Sequence, residues 1–164
     1  MALAVAQGGE LQHLGVGAVE HGDLGRLAQS LAAKHADVDI STHEGSELAV
    51  VTVNDLGGLP IEDFAEKLFR RFAIGAAGKD NGLLLLCSRH DRSLRLEVGY
   101  GLEAAIPDAL ASRLLDLHAL PYLKNGQFGR GLFLTAREVA GAAAAAQGVI
   151  LNSAEPTTWP DQVM

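Results

Sequence analysis

Three acidic residues that lie far apart in the sequence have the type and spacing to meet at one place. Asp80 precedes an apolar run at 83–86, whereas Glu103 and Asp108 follow a stretch at 94–98 in which apolar and charged residues alternate. Such alternation is typical of a strand with one buried face. A β-hairpin places the start of its first strand beside the end of its second. We therefore expect all three acids at one edge of a sheet.

These carboxylates have the chemistry that a hard divalent cation requires. Calcium binds six to eight oxygens from carboxylates, carbonyls and water. Asp80, Glu103 and Asp108 offer carboxylates, and Asn81 with the glycine-rich backbone offers neutral oxygens. The alternative is that Asp108, directly after Pro107, only stabilises the start of a helix, and that Asp80 is an ordinary turn residue.

The segment Gly78 to Gly82, which reads GKDNG, has part of the pattern of a phosphate-binding loop. That pattern requires Ser or Thr after the lysine and a helix after the loop, but Lys79 is followed by Asp80 and the segment precedes a strand. A tight turn in which Asn81 and Gly82 adopt positive φ explains the composition instead.

The segment Gly99 to Ala104, which reads GYGLEA, matches a permissive dinucleotide-binding pattern. However, Pro107 delays the next helix, and the preceding strand belongs to a hairpin rather than to a βαβ unit. We expect Gly99 and Gly101 to allow a sharp turn of the backbone.

Other reactive side chains show no catalytic arrangement. Ser88, His90 and Asp91 share the predicted hairpin turn, but no nucleophile elbow is present, and a solvated turn is expected. The six histidines have no zinc-ligand spacing. Cys87, the single cysteine, lies in the apolar strand, where a buried and inert thiol is expected.

Length and composition bound the remaining classes. The chain has 164 residues, 48% of them hydrophobic, which is enough for one domain with its own core. A net charge of −7 argues against binding to nucleic acid or to an anionic membrane surface. No export signal is recognisable at the N-terminus, and no stretch is apolar enough to span a membrane. The nearest one, at 131–151, contains Arg137 and Glu138.

The predicted organisation is an irregular lead-in at 1–22, an α/β domain at 23–148 and a disordered tail at 149–164. The fold is a three-layer sandwich in which helices flank a mixed sheet of about four strands, made of a parallel βαβ unit and an antiparallel hairpin. The predicted helices begin near Asp23, Pro60, Pro107 and Phe128, and the predicted strands are an edge strand at 38–40, a buried strand at 48–53 and the two hairpin strands. The helix after Pro107 is expected to direct Leu110, Leu114 and Leu117 inward.

Four segments together resemble the TPM domain family, which is sometimes labelled TPM phosphatase. They are LAVVTVNDLGG at 48–58, IEDFAEKLFRRFAIG at 61–75, GKDNGLLLL at 78–86 and LRLEVGYGLEAAIPDAL at 94–110, and the resemblance covers about residues 47–147. It implies an α/β sandwich around a mixed sheet. Members are typically bacterial envelope or thylakoid-lumen proteins linked to photosystem repair. Several are similar to calcium-binding proteins, and acid phosphatase activity is ascribed to the plant branch.

The resemblance implies that Asp80, Glu103 and Asp108 are the family's matching acids. An Asp-containing motif that usually precedes the first helix is not matched, although Glu20 or Asp23 could take its place. Two functions follow: a calcium-binding, non-enzymatic accessory of membrane-protein maintenance that acts on a protein partner, or a metal-assisted acid phosphatase in which Asp108 is the nucleophile or base. The compartment is left open, because the family's export signal and membrane anchor are not recognisable.

Overall fold

The described strands form one mixed sheet in a computed structural model of the protein. The structure describes the backbone of residues 3–7 and 10–11, and residues 46–75, 77–148 and 150. The sheet has the order β2-β1-β3-β4-β5, and only β3 and β4 are parallel. The strands are β1 (Leu3–Gln7), β2 (Glu10–Leu11), β3 (Glu47–Val53), β4 (Gly82–Ser88) and β5 (Ser93–Val98).

The predicted parallel pair and hairpin are both confirmed. Leu48 pairs with Leu83 across β3 and β4, and Leu83 pairs with Val98 across β4 and β5. The helix between β3 and β4 makes this a βαβ unit, and the alternating residues of β5 form the antiparallel strand. The predicted edge strand at 38–40 and the helix from Asp23 lie outside the described residues.

The irregular lead-in predicted for residues 1–22 is wrong at two places, because β1 and β2 lie within it. The apolar stretch at 3–7 pairs antiparallel with β3 and extends the sheet. Leu and Ala carry little intrinsic strand preference, so the sequence contains no strong strand signal there. Pairing with the edge of a buried strand overrides that weak preference.

The helix between β3 and β4 is α1 (Ile61–Arg71), as predicted from its apolar stripe. Phe64, Ala65 and Leu68 are its buried residues, whereas acids lie in its first turn and Arg70 and Arg71 in its last. This distribution complements the helix dipole. Pro60, expected as the first helical residue, directly precedes the helix.

The C-terminal half is helical. It consists of α2 (Asp108–Leu114), a π-helical segment (Leu115–Ala119), α3 (Leu120–Leu123) and α4 (Phe128–Ala146). The inward position predicted for Leu117 is wrong, since this residue is 56% exposed while Ala119 is fully buried. A π-helical turn contains more residues than an α-helical one, so it shifts the buried face along the sequence.

Two apolar clusters cover the two faces of the sheet and confirm the three-layer arrangement. Leu83 and Leu85 point to the cluster that contains Val139 of α4. Leu84 and Leu86 point to the other cluster, which contains Phe64 of α1. All seven residues of β4 are buried, as expected for a strand that is covered on both faces.

Within the part of the chain that the structure describes, no helix is long and apolar enough to cross a membrane. Apart from residue 150, the predicted disordered tail at 149–164 lies outside the described residues.

Candidate functional site

The predicted meeting point of the hairpin ends is present in the structure. Beyond the last strand pair, Gly99 donates a backbone hydrogen bond to the Gly82 carbonyl at 2.8 Å. Gly101 donates another to the Asp80 carbonyl at 2.9 Å. The segment 78–82 therefore lies directly against the segment 99–101. We call this arrangement, together with Glu103 and Asp108, the acidic edge.

The glycines of the acidic edge serve close contact more than turn geometry. A Cβ atom at Gly99 would overlap the carbonyl of Asp80, and one at Gly101 would overlap the carbonyl of Lys79. Gly99 has φ −64°, which other residues adopt readily. The expectation that Gly99 and Gly101 serve a sharp turn therefore misses their role, which is to let two backbone segments touch.

Positive φ occurs in the GKDNG segment, but not where the sequence predicts it. Gly78 has φ 76° and Asp80 has φ 49°, whereas Asn81 and Gly82 are not among the residues with positive φ. Asp is one of the few residue types that tolerate this conformation. Asp80 is exposed, and its carbonyl lies against the segment 99–101.

The other predicted ligands differ in how they are placed. Glu103 is exposed directly after a 3₁₀ turn (Tyr100–Leu102), and its N–H donates to the Tyr100 carbonyl at 3.3 Å. Asp108 is the exposed first residue of α2. Asn81 is 7% exposed, and its carbonyl accepts a hydrogen bond from the N–H of Glu47 at 3.1 Å.

The structure joins the backbone of Asp80 to that of Gly101, two residues before Glu103. Among the described residues, no three Asp, Glu, His or Cys side chains form a group arranged to hold a metal ion. The acidic edge therefore offers separate exposed carboxylates of the hard oxygen type that calcium prefers, without a pre-formed cage.

Glu47 is a residue of this edge that the sequence-based prediction does not include. Its Oε2 accepts the N–H of Gly75 at 2.9 Å, and it pairs with Gly82 in the parallel register. Because parallel strands begin at the same edge, the start of β3 next to the start of β4 is the signal that could have identified it. Glu47 fixes the loop that leads from α1 to the GKDNG segment.

Tyr100 is the second residue that the prediction does not include. It lies between Gly99 and Gly101 and is 79% exposed. It is one of the large side chains that the described part of the chain leaves exposed. Its neighbour Gly101 is hydrogen-bonded to the Asp80 carbonyl, so Tyr100 belongs to the segment that lies against the GKDNG segment.

The opposite end of β4 holds the Ser88, His90 and Asp91 group, which does not form a triad. The Ser88 hydroxyl donates directly to Asp91 Oδ2 at 2.6 Å, and the N–H of Leu56 donates to the same oxygen at 2.7 Å. The pKa of Asp91 is lowered mainly by the hydrogen bond from Ser88 and then by the hydrogen bond from Leu56. His90 and Asp91 are exposed as predicted, whereas Ser88 is buried. These hydrogen bonds connect the hairpin turn to the loop after β3.

Cys87 is buried, with a free thiol, as the sequence predicts. Burial raises its pKa from 9.0 to about 11, although the positive charge of Arg89 opposes part of the change. The thiol is therefore protonated at neutral pH and is a poor nucleophile.

The sequence model of the TPM domain matches residues 28–142, which include both strands of the hairpin, α1 and the whole acidic edge. The chain therefore belongs to the TPM domain family. No protein in the curated set matches the chain significantly.

The fold is similar to that of a solved structure, the N-terminal domain of a protein from P. gingivalis determined by NMR in solution. The TM-score is 0.59 at 29% sequence identity, and the match covers 84% of this chain and 87% of that one. The similarity thus extends over nearly the whole of both chains.

Proposed function

We propose that this TPM domain is a non-enzymatic accessory module that binds calcium, or a similar hard divalent cation, weakly at its acidic edge. The observation that carries the proposal is the hydrogen bond from Gly101 to the Asp80 carbonyl, which holds the Asp80 loop against the segment that leads to Glu103. Asp80, Glu103 and Asp108 would supply carboxylates, and the amide of Asn81 and loop carbonyls would supply neutral oxygens.

The weakness of the proposed site follows from its geometry. Because the described residues contain no ready group of three ligands, binding has to draw exposed carboxylates together against their mutual repulsion. Extracellular calcium modules of low affinity have dissociation constants on the order of 10⁻⁴–10⁻³ M. We expect this range, and we expect water to fill several coordination positions.

The net charge of −7 supports attraction of a cation over the whole molecule. The exposed ring of Tyr100, in the segment that leads to Glu103, supports a role in contacting a protein partner, since aromatic residues are enriched in interfaces. Membrane-protein or photosystem maintenance is the biological setting that we propose for such contact, in keeping with the family resemblance.

A calcium titration followed by amide NMR tests the proposal. Saturable shifts are expected at Gly82, Gly99 and Gly101 as calcium reaches millimolar concentrations. Asp80→Asn and Glu103→Gln should each weaken binding several-fold. Asp63→Asn is the matched control, because Asp63 lies in the first turn of α1, at the opposite end of the sheet. Resonances at the three glycines that stay fixed would refute cation binding.

The acid phosphatase alternative has less support in the geometry. Arg95 is a candidate for binding the phosphate group, but its Nε forms an ion pair with Glu97 Oε2 at 2.7 Å. Its Nη1 lies 3.9 Å from Glu62 Oε1. A phosphomonoester hydrolysis assay separates the two functions. Activity that Asp108→Asn abolishes, while the fold is retained, would establish the enzyme. Equal rates in both proteins would eliminate it.

A further inference from the structure

Among the described residues, the last strand of the sheet, β5, pairs only with β4, so its other edge has no neighbouring strand there. The hydrogen bond from the N–H of Gly99 to the Gly82 carbonyl shows which residues of β5 are hydrogen-bonded to β4, because these residues alternate along an antiparallel strand. It follows that Ser93, Arg95 and Glu97 direct their backbone N–H and C=O groups toward β4. The backbone groups of the intervening residues point outward, and these residues are Leu94, Leu96 and Val98.

These outward groups have no backbone partner among residues 46–75 and 77–148. A six-residue row of this kind is a template for one more strand. Natural sheets often protect such an edge with charges or prolines. Here β5 contains no proline, and its two charged residues, Arg95 and Glu97, have opposite signs and bond to each other at 2.7 Å. The two charges within the strand therefore cancel, although Glu62 of α1 also lies 3.9 Å from Arg95.

The sequence of β5 is complementary to itself when two copies run antiparallel with Leu96 at the centre. Leu96 then faces Leu96 of the second copy, and Leu94 faces Val98. In the same register Arg95 faces Glu97 of the second copy, on the same face of the joined sheet. Opposite charges that face each other directly stabilise a strand pair, and apolar pairs do the same.

Neighbouring registers are penalised. Hydrogen bonds across the dimer form only between backbone groups that point away from β4 in each copy. The next allowed registers therefore differ from this one by two residues. One such shift sets Arg95 opposite Arg95, and the other sets Glu97 opposite Glu97. Like charges directly opposite each other destabilise the pair. The charge pattern therefore selects the register centred on Leu96.

We propose that β5 is the interface of a symmetric homodimer, in which two copies of this chain pair antiparallel about Leu96 and form one continuous sheet. Such an interface is isologous, as in most soluble homodimers. It buries only a strand edge and its flanking side chains, so the dimer is weak and forms at high protein concentration.

Charge reversal tests the proposal through sedimentation equilibrium from micromolar to millimolar protein. Arg95→Glu and Glu97→Arg each place like charges opposite each other twice in the dimer, and each should weaken association about tenfold. The double variant Arg95→Glu/Glu97→Arg restores opposite charges and should dimerise as the wild type does. An equimolar mixture of the two single variants should form the heterodimer in preference to either homodimer.

Matched controls are Arg70→Glu and Glu66→Arg, which reverse the charges of an exposed ion pair on α1 and leave β5 intact. They should associate as the wild type does. If the single β5 variants associate no more weakly than these controls, the proposed register is wrong.

Amide hydrogen exchange at Leu94, Leu96 and Val98 adds an independent readout. Protection that rises with protein concentration supports the dimer. Protection that is independent of concentration would mean that another segment of the same chain covers the edge, and it would overturn the proposal. A protein that stays monomeric at millimolar concentration would overturn it as well.

Discussion

Asp91 Oδ2 accepts the backbone N–H of Leu56 at 2.7 Å, across 35 residues of sequence. The same oxygen accepts the Ser88 hydroxyl at 2.6 Å, so one carboxylate joins the loop after β3 to the hairpin turn. The first residue of that loop is tied to the turn as well, since the N–H of His90 donates to the Asn54 carbonyl at 2.8 Å. The carboxyl ends of β3 and β4 are thereby held together.

Asp91→Asn should lower thermal stability at neutral pH, because a neutral amide accepts these hydrogen bonds less strongly than a carboxylate does. The hydrogen bonds lower the pKa of Asp91 below 3.8, so its contribution is complete above that pH and disappears as the pH falls through the lower, folded-state value. The difference in melting temperature between variant and wild type should shrink accordingly below pH 3.8. Asp116→Asn, an exposed acid on the helical side, is the control.

Gly101→Ala should destabilise the protein by about 1–3 kcal/mol, because the added methyl overlaps the Lys79 carbonyl and neither backbone segment can move freely. Gly141→Ala is the contrasting substitution in α4, where nothing lies within 4 Å of the new Cβ. It should stabilise the helix by about 0.5–1 kcal/mol. Urea unfolding of both variants measures the two free energies, and equal effects would contradict the close contact.

Leu114→Ala should cost about 2–5 kcal/mol, as expected for a buried leucine. Leu117→Ala should change the free energy of unfolding by less than about 0.5 kcal/mol, because the π-helical segment turns this side chain toward solvent. The comparison tests the π-helical register directly. A large loss at Leu117 would show that an uninterrupted α-helix is the correct description.

Cys87 should resist thiol reagents in the folded protein at pH 8 and react quickly after unfolding in guanidinium chloride. Its raised pKa has a further consequence for stability. The folded state keeps the thiol proton more tightly than the unfolded state. The contribution of Cys87 to the free energy of unfolding is therefore complete below pH 9 and declines as the pH rises toward about 11. Rapid labelling of the native protein, at the rate of a free thiol, would contradict burial.

Patterns with a regular period allowed much of the fold to be predicted. The alternation in β5 and the apolar stripe of α1 follow the geometry of their elements, and both were correct in place and type. The meeting of Asp80 with the segment after β5 followed from hairpin geometry alone. No residue type marks a π-helical turn, however, so the outward position of Leu117 could not be predicted.

Contacts between distant backbone segments explain most of the other differences. Gly101 is required by the Lys79 carbonyl, a neighbour that only the folded chain provides. The role of Glu47 depends on Gly75, which lies 28 residues further along the chain. For β1, pairing with β3 reinforces the weak strand preference of its own residues. Local sequence contains none of this information.

The complete burial of β4 has a consequence for how the protein unfolds. Leu83 and Leu85 belong to one apolar cluster while Leu84 and Leu86 belong to the other, so neither cluster can come apart without exposing this strand. Melting should therefore be a single cooperative event, with calorimetric and van't Hoff enthalpies that agree. Damage on either side of the sheet should then shift the same transition.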